Sequence, residues 1–419
     1  MALMERDRFG GFTAVKTNAT GFFRVEEIAG RWWFITPEGH GFIAVGFNHA
    51  LPKWLRASYN KDYWAARIPD QAAFDEMVLA DARAWNMTMI GYGAVEPKGR
   101  FPYLKRVTLP GPSCWMPEPQ YADMFSDEFA RACDAAAARA CAPNAGDPML
   151  IGYCMNDVPE WPILGRVSKR RAMNWIDAIK SLGADSLGKR AYVALMRQRH
   201  AAIESFNAVY GTAFASFDEL ARNGDFIYNA PPKPRAARAD DEALLALMAE
   251  RYYRVACAAI RRADPNHLIL GEIVDGNRGL PPQVLAAARS HVDVISIQFY
   301  GFFKDQAEPL AAWHRDSGLP ILLADSSFGM RTEALPEAVG PRLRSHEERA
   351  REFERYARQS LRVPYIVGWI WCGYVDASTE LERRNQHHGL KDAWGKPHEP
   401  LCSRVSETYA NLYALARGE

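Results

Sequence analysis

Short apolar runs alternating with amphipathic helical stretches are the feature that most constrains this fold. That alternation is the pattern of a parallel sheet whose strands are joined by crossover helices. Eight runs can be counted: Phe42–His49, Asn86–Tyr92, a weak one near Tyr103–Leu109, Met149–Asn156, His267–Glu272, Val292–Tyr300, Pro320–Asp325 and Tyr365–Trp371. In a chain of 419 residues they predict one (β/α)8 TIM barrel, α/β in class, occupying residues 1–419 as a single domain. Helices are expected over Ala72–Trp85 and Asp241–Asp264. Gly21–Gly39 reads as a β-hairpin that caps the bottom of the barrel. Residues 162–240 form an insertion after the fourth strand, helical over Lys169–Ser181 and Gly188–Tyr210. Its last part, Arg222–Asp240, is rich in Pro, Ala and Arg and is expected to be an exposed, mobile loop.

Composition removes several classes of function. The formal charge is only +1, so neither nucleic acid nor an anionic membrane surface is an expected partner. No apolar run approaches the roughly 20 residues needed to span a bilayer. Met1–Gly21 is polar and shows no leader, which predicts a cytoplasmic protein, or a periplasmic one had a leader been cut away. The seven cysteines are odd in number, scattered and without a CxxC pair, so reduced thiols are expected rather than disulfides or a zinc cage. Cys154 and Cys372 read as small core fillers inside strands. His387 and His388 are adjacent with no third ligand nearby, so no metal and no cofactor are expected. The oligomeric state stays open.

A barrel places its chemistry where strand ends feed the βα loops, and most of these runs finish in polar or aromatic residues. Asp325 closes a buried apolar strand, where a carboxylate is costly unless paired or used. Asp157 follows Asn156 at the end of the fourth run, as an acid or base or as a group orienting a substrate hydroxyl. Glu272 closes the fifth run and is either a replacement acid or the partner of an arginine such as Arg278. Asn48 and His49 end the first run, Tyr92 the second and Asn156 the fourth, all as substrate contacts. Tyr300 ends the sixth. Trp369 and Trp371 share a face of the eighth; if it is the lumen, Trp371 floors the binding site and Trp369 belongs to the core. The twelve tryptophans of the chain suit a carbohydrate ligand, whose rings pack on aromatic faces, as well as a large aromatic core.

Several motifs match something familiar. Trp32-Trp-Phe-Ile-Thr-Pro-Glu-Gly-His40, Val45-Gly-Phe-Asn-His49, Gly152-Tyr-Cys-Met-Asn-Asp-Val-Pro-Glu-Trp161, the stretch Ile203-Glu-Ser-Phe-Asn-Ala-Val-Tyr-Gly-Thr-Ala-Phe214 and the closing Gly389-Leu-Lys-Asp392 lie in that order. Together they resemble the agarase-like and β-galactosidase-like glycoside hydrolases, from about residue 30 to residue 415. The resemblance implies a TIM barrel, a carbohydrate substrate, Glu160 and Trp161 beside the site, and Tyr300 hydrogen-bonded to the nucleophile. It breaks at the two carboxylates of the retaining mechanism. A gapless overlay puts Asp157 on the family's Asn and Val158 on its acid/base Glu, and the nucleophilic Glu is replaced by Asp325.

Three functions remain. The first is a glycoside hydrolase-like enzyme with a rearranged carboxylate pair of Asp325 with Asp157 or Glu272, inverting because shorter acids leave room for a water. The second is a lyase, with Tyr300 or His49 as base and Arg278 neutralising a uronate. The third is a carbohydrate-binding barrel without catalysis, which the loss of the acid to Val158 predicts.

Overall fold

The computed structural model describes residues 5–55, 58–116, 120–164, 173–223, 234–331, 335, 340–379 and 382–419, and the side chains of all these except 377–379 and 382–387. The amino-terminal part is a four-stranded antiparallel sheet of β1 (Phe12–Lys16), β2 (Arg24–Ile28), β3 (Arg31–Ile35) and β4 (His40–Phe42), in the order β1-β4-β3-β2. The expected hairpin is its β2–β3 half. Its two-residue turn, Ala29 and Gly30, has φ of 51° and 76°, the paired positive angles that suit a tight hairpin. Arg31 ties this sheet to the rest, donating to the carbonyls of Leu361 at 2.8 Å and Ile366 at 3.2 Å.

The central strands fall into two parallel sheets. One has five strands in the order β5-β14-β11-β10-β9, where β5 is Ala44–Phe47, β9 Val274–Asp275, β10 Ile295–Gln298, β11 Ile321–Ser326 and β14 Ile366–Trp371. The other is β6 (Tyr103–Arg106), β7 (Leu150–Cys154) and β8 (Leu268–Ile269). A small parallel pair, β12 (Gly329–Met330) and β13 (Arg342–Leu343), follows β11. The first and last of the expected runs are neighbours, with Ala44 opposite Gly368 and Phe47 opposite Trp371.

These strands do not form the one closed eight-stranded barrel expected, and two local causes can be named. The run 86–92 holds only a single bridge, Ile90 to Tyr103, because the Thr88 hydroxyl takes over part of the ladder: it accepts from the Val45 amide and donates to the Ile43 carbonyl. The fifth run is cut to two residues by Gly271, whose φ of 69° bends the chain out of extended geometry. Individual hydrogen bonds still cross both gaps. Gly91 donates to Phe47 and Leu104 to Ile90 at the first; Leu270 donates to Tyr153 and Asp293 to Ile269 around the second.

The helices lie where the apolar period put them, Gln71–Ala84 capped by Asp70 and Arg235–Ala263 running into β8. In the insertion, Trp175–Lys180, Leu187–Arg199 and Ile203–Tyr210 are helical, the last two separated at His200. The expected mobile loop is corrected in part: residues 235–240 open the long helix, while 224–233 lie outside the described residues. Among the described residues no helix is long and apolar enough to cross a membrane. Arg349, fully buried in helix His346–Ser360, donates to the carbonyls of Phe328 at 2.9 Å and Gly389 at 3.0 Å, pinning the segments that follow β11 and β14.

Close strand contact is enforced by small residues. A Cβ on Gly368 would lie 2.2 Å from the carbonyl oxygen of Ala44, so β14 and β5 approach only because residue 368 has no side chain. Gly368→Ala is expected to cost roughly 1–3 kcal/mol as an overpacked site. A lowered midpoint in thermal melts would show it, and an unchanged midpoint would mean that the two strands can separate freely.

Candidate active site

Asp325 and Asp157 form the centre of the site. Asp325 lies in β11, and Asp157 follows β7 in a parallel bridge with Ile273. The Asp325 carboxylate is buried and held from two sides: Asn48 Nδ2 donates to Oδ1 at 2.8 Å, and the Tyr300 hydroxyl donates to Oδ2 at 3.1 Å. Burial still raises its carboxyl to about 6, against the lowering effect of donors from Asn48, Cys372, Tyr300 and Tyr92. Asp157 is raised further, to about 7, first by burial and then by the charge of Asp325, with Arg106, Trp115 and Tyr92 opposing. Arg106 Nη1 is 3.6 Å from its Oδ2, while Oδ1 is buried without a hydrogen-bond partner among the described residues.

Tyr92 completes the centre. Its ring is fully buried and packs edge-on against His49 at 5.4 Å. Burial and the charges of Asp157 and Asp325 push its phenol far upward. Its hydroxyl lowers the pKa of both carboxyls, yet makes no hydrogen bond of good geometry among the described residues. His49, at a φ of 60°, brings Nε2 to 3.9 Å from Asp325 Oδ1.

Asp157, Asp325, Tyr300, Asn48, His49 and Tyr92 therefore converge as expected, but other assignments change. Asn48 uses Nδ2 on Asp325 and on the Ala324 carbonyl, so it positions the carboxylate, while its Oδ1 is buried without a hydrogen-bond partner among the described residues. Asn156 accepts from the Leu109 amide and donates to the Tyr252 hydroxyl, which makes it a structural brace rather than a substrate contact. Glu272 is not a spare acid. It is buried and accepts from Trp161 Nε1 at 2.6 Å, Tyr253 at 2.8 Å and Tyr252 at 2.9 Å. With those donors in place its oxygens are engaged by protein, although burial raises its pKa. Trp161 is spent on the same network and on stacking with Trp175 at 4.8 Å. Glu160 is half-buried, its amide bonded to the Pro112 carbonyl.

Trp371 is corrected as well. Both it and Trp369 pack on Phe353 of helix His346–Ser360, with ring centroids 5.7 and 5.0 Å away. Their shared face is the helix side of the sheet, and Trp371 is core rather than a sugar platform. The same alternation turns residue 372 inward, so Cys372 is no core filler but a neighbour of Asp325 and Tyr300. The sequence carried that signal in the period-2 pattern of Trp369 and Trp371. Arg106 and Trp115 gave no such signal, since both sit in loops or strand ends of ordinary composition. Trp115 is 47% exposed and stands beside Asp157, the position of an open aromatic platform at the site's mouth. Val158 is buried at a φ of 46°, a strained backbone for a β-branched residue, and its amide donates to the Ile273 carbonyl. The side chain that faces Asp325 is the carboxyl of residue 157. His387 has no described side chain, and the backbone carbonyl of His388 accepts from Trp371 Nε1.

The raised Asp157 has a stability consequence. Its pKa in the fold lies above the ordinary 3.8, so folding is favoured while it is protonated and loses stability as pH rises from about 4 through about 7. Asp157→Asn removes that loss, and near pH 8 it is expected to stabilise by up to an order of 3–4 kcal/mol. Melting both proteins from pH 4 to pH 8 checks this: the gain must grow with pH. A gain that is flat or shrinks would remove the electrostatic account of the site.

No protein-family model matches the sequence. Over 98% of its length the chain is 20% identical to β-agarase B of Vibrio sp. (strain JT0107), covering 50% of that protein. Over 72% of its length it is 26% identical to β-agarase A of the same organism, covering 31% of it. The chain thus spans half or less of these curated relatives. In structure it superposes on an exo-β-agarase with a TM-score of 0.85 at 18% identity, over 99% of this chain and 68% of that one. A β-galactosidase of the Antarctic haloarchaeon Halorubrum lacusprofundi gives 0.52 at 15% identity, over 88% of this chain and 58% of that one. At such identities the superpositions speak for the fold, which is the α/β fold of glycoside hydrolases. In sequence and in fold, then, the chain is similar to β-agarases.

Proposed function

We propose that this protein is a glycoside hydrolase-like enzyme that acts on an oligosaccharide or glycoside through Asp157 and Asp325. The observation that carries the reading is the pair itself: two buried carboxyls, from β11 and from the end of β7, that feel each other's charge and hold protons unequally. Carboxyls whose environments push their pKa values apart are how a glycosidase divides the work of acid and base. Asp157, the weaker acid, keeps its proton nearer neutrality and donates it to the leaving glycosidic oxygen. Asp325, held by Asn48 and Tyr300, accepts a proton from the attacking water. Both side chains are one methylene shorter than glutamate. Retaining enzymes keep their carboxyls roughly 5–5.5 Å apart, whereas roughly 6.5–9.5 Å admits a water, so shorter acids favour inversion. Trp115 supplies an aromatic face for a sugar at the mouth.

The frame that brings the pair together is, in this reading, one closed (β/α)8 barrel of the whole chain. What supports it is the set of hydrogen bonds across the gaps, from Gly91 to Phe47 and Leu104 to Ile90 at one and from Asp293 to Ile269 at the other. A second reading, carbohydrate binding without turnover, is favoured by one observation: the family's acid position falls on Val158 in the sequence overlay.

The test is a panel of oligosaccharides led by agarose fragments, because the relatives are named β-agarases, with products read by mass. Hydrolysis adds one water, elimination leaves an unsaturated product, and a binder returns the panel intact. With a substrate in hand, Asp325→Asn should lower turnover by at least about 100-fold, the usual minimum for a lost general base. Asp157→Asn should fall similarly on natural linkages but be rescued on aryl glycosides whose leaving group needs no proton. Proton NMR of the first-formed anomer should show inverted configuration. Full activity in Asp325→Asn would exclude the mechanism.

A further inference from the structure

Three donors of unlike chemistry meet beside the proposed acid–base pair. His49 Nε2, a carboxylate oxygen of Asp325 and Cys372 Sγ all lie within 4.8 Å of one another. They come from three separate strand ends, after β5, in β11 and after β14. The His49–Asp325 separation of 3.9 Å is too long for a hydrogen bond. It is close to what a tetrahedral ion requires, since zinc bonds of about 2.0–2.3 Å to N, O and S place its donors roughly 3.3–3.6 Å apart.

A second observation points at the same spot. The Tyr92 hydroxyl is fully buried beside Asp157 and Asp325, yet makes no hydrogen bond of good geometry among the described residues. Asp157 Oδ1 is likewise buried without a well-formed hydrogen bond among them. Buried polar atoms left unmatched normally have a water or an ion to bind. Here two of them lie next to a three-donor cluster, and the remaining position of a catalytic-type metal there would carry a water.

We propose that His49, Asp325 and Cys372 bind a thiophilic divalent cation of the zinc class. One imidazole, one thiol and one carboxylate suit zinc, or cobalt as its probe, whereas magnesium and calcium need oxygen ligands. Coordination draws the three donors closer together, by up to roughly 1 Å for the widest pair given zinc bond lengths of about 2.0–2.3 Å, and the Cys372 thiol gives its proton to solvent as it becomes a thiolate. The ion then occupies the carboxylate assigned as base, so it opposes hydrolysis. That consequence rests on the hydrolase reading, while the binding does not.

Chelator-treated full-length protein is titrated separately with Co2+, Zn2+, Mg2+ and Ca2+. The expected result is one saturable Co2+ or Zn2+ per chain, a thiolate-to-cobalt charge-transfer band in the near ultraviolet, and proton release seen as a buffer-dependent heat. Magnesium and calcium should not bind. Cys372→Ser should abolish the charge-transfer band and weaken zinc by at least roughly 100-fold, the upper end for losing a mere supporting group. His49→Gln, which keeps a polar side chain, should weaken zinc comparably while retaining the thiolate band at high cobalt. Melting curves of both variants in chelator establish that they are folded. Absence of the band in the wild type, or zinc affinity unchanged in both folded variants, overturns the site. If hydrolysis has been found, zinc should suppress it. Zinc that binds with the thiolate signature yet leaves hydrolysis intact would keep the site and remove Asp325 as base.

Discussion

Two carboxyls buried within reach of each other's charge are the constraint around which this molecule is arranged. Neither is tightly ion-paired among the described residues: Arg106 stands 3.6 Å from Asp157 and is itself 40% exposed, and the donors to Asp325 from Asn48, Tyr300 and Cys372 are neutral, with His49 at 3.9 Å. Raising Asp157 from 3.8 to about 7 corresponds to an order of 4 kcal/mol of unfavourable free energy for its charged form. A fold tolerates that only if the surrounding structure is too rigid to pull the groups apart or to admit water freely. The stiff parts are visible: Gly368 and Gly46 let neighbouring runs approach to contact, and Arg349 fastens the segments beyond β11 and β14 by three carbonyls.

The wall behind β7 does the same for Asp157. Glu272 gathers Trp161, Tyr252 and Tyr253, and Asn156 links Tyr252 to the Leu109 amide. A buried carboxylate with one such donor would be a liability, whereas three good donors make it an anchor. It joins the insertion, through Trp161, to the long helix Arg235–Ala263, through the two tyrosines, at the place where the chain turns from Asn156 to Asp157. The strained φ of Val158 sits directly after that turn, where over-determination by these contacts lets a β-branched residue hold a left-handed backbone.

How much of this was legible in the sequence depends on whether a signal was periodic. Seven of the eight apolar runs became strands because burial on both faces demands continuous hydrophobicity. The run 86–92 failed because a threonine hydroxyl can replace a ladder bond, which no hydropathy pattern records. Asp325, Asp157 and Tyr300 were legible as polar residues ending apolar strands. Glu272 had the same signature and a different fate, since its donors Tyr252, Tyr253 and Trp161 come from a helix and an insertion whose positions only the folded chain defines. Trp371 was misjudged for want of one sign, which face of β14 looks inward. Fixing that sign moves Cys372 from core to site.

That exchange of Trp371 for Cys372 gives the site its chemical character. A pair of buried carboxyls requires one positive charge to be comfortable, and three sources can supply it in turn. At rest a proton on Asp157 suffices. In the glycoside cleavage proposed for the site, the sugar ring itself becomes oxocarbenium-like and brings the charge to the place where the acids are. A cation drawn in by His49 and the Cys372 thiol supplies it permanently and leaves no vacancy for the transition state. A phenylalanine in place of Cys372 could neither donate to Asp325 nor ligate an ion. On the proposed reading, the same strand end that offers Asp325 as a base also opens it to capture by a zinc-class metal, and whether the site turns over or is held silent becomes a matter of which positive charge reaches it first.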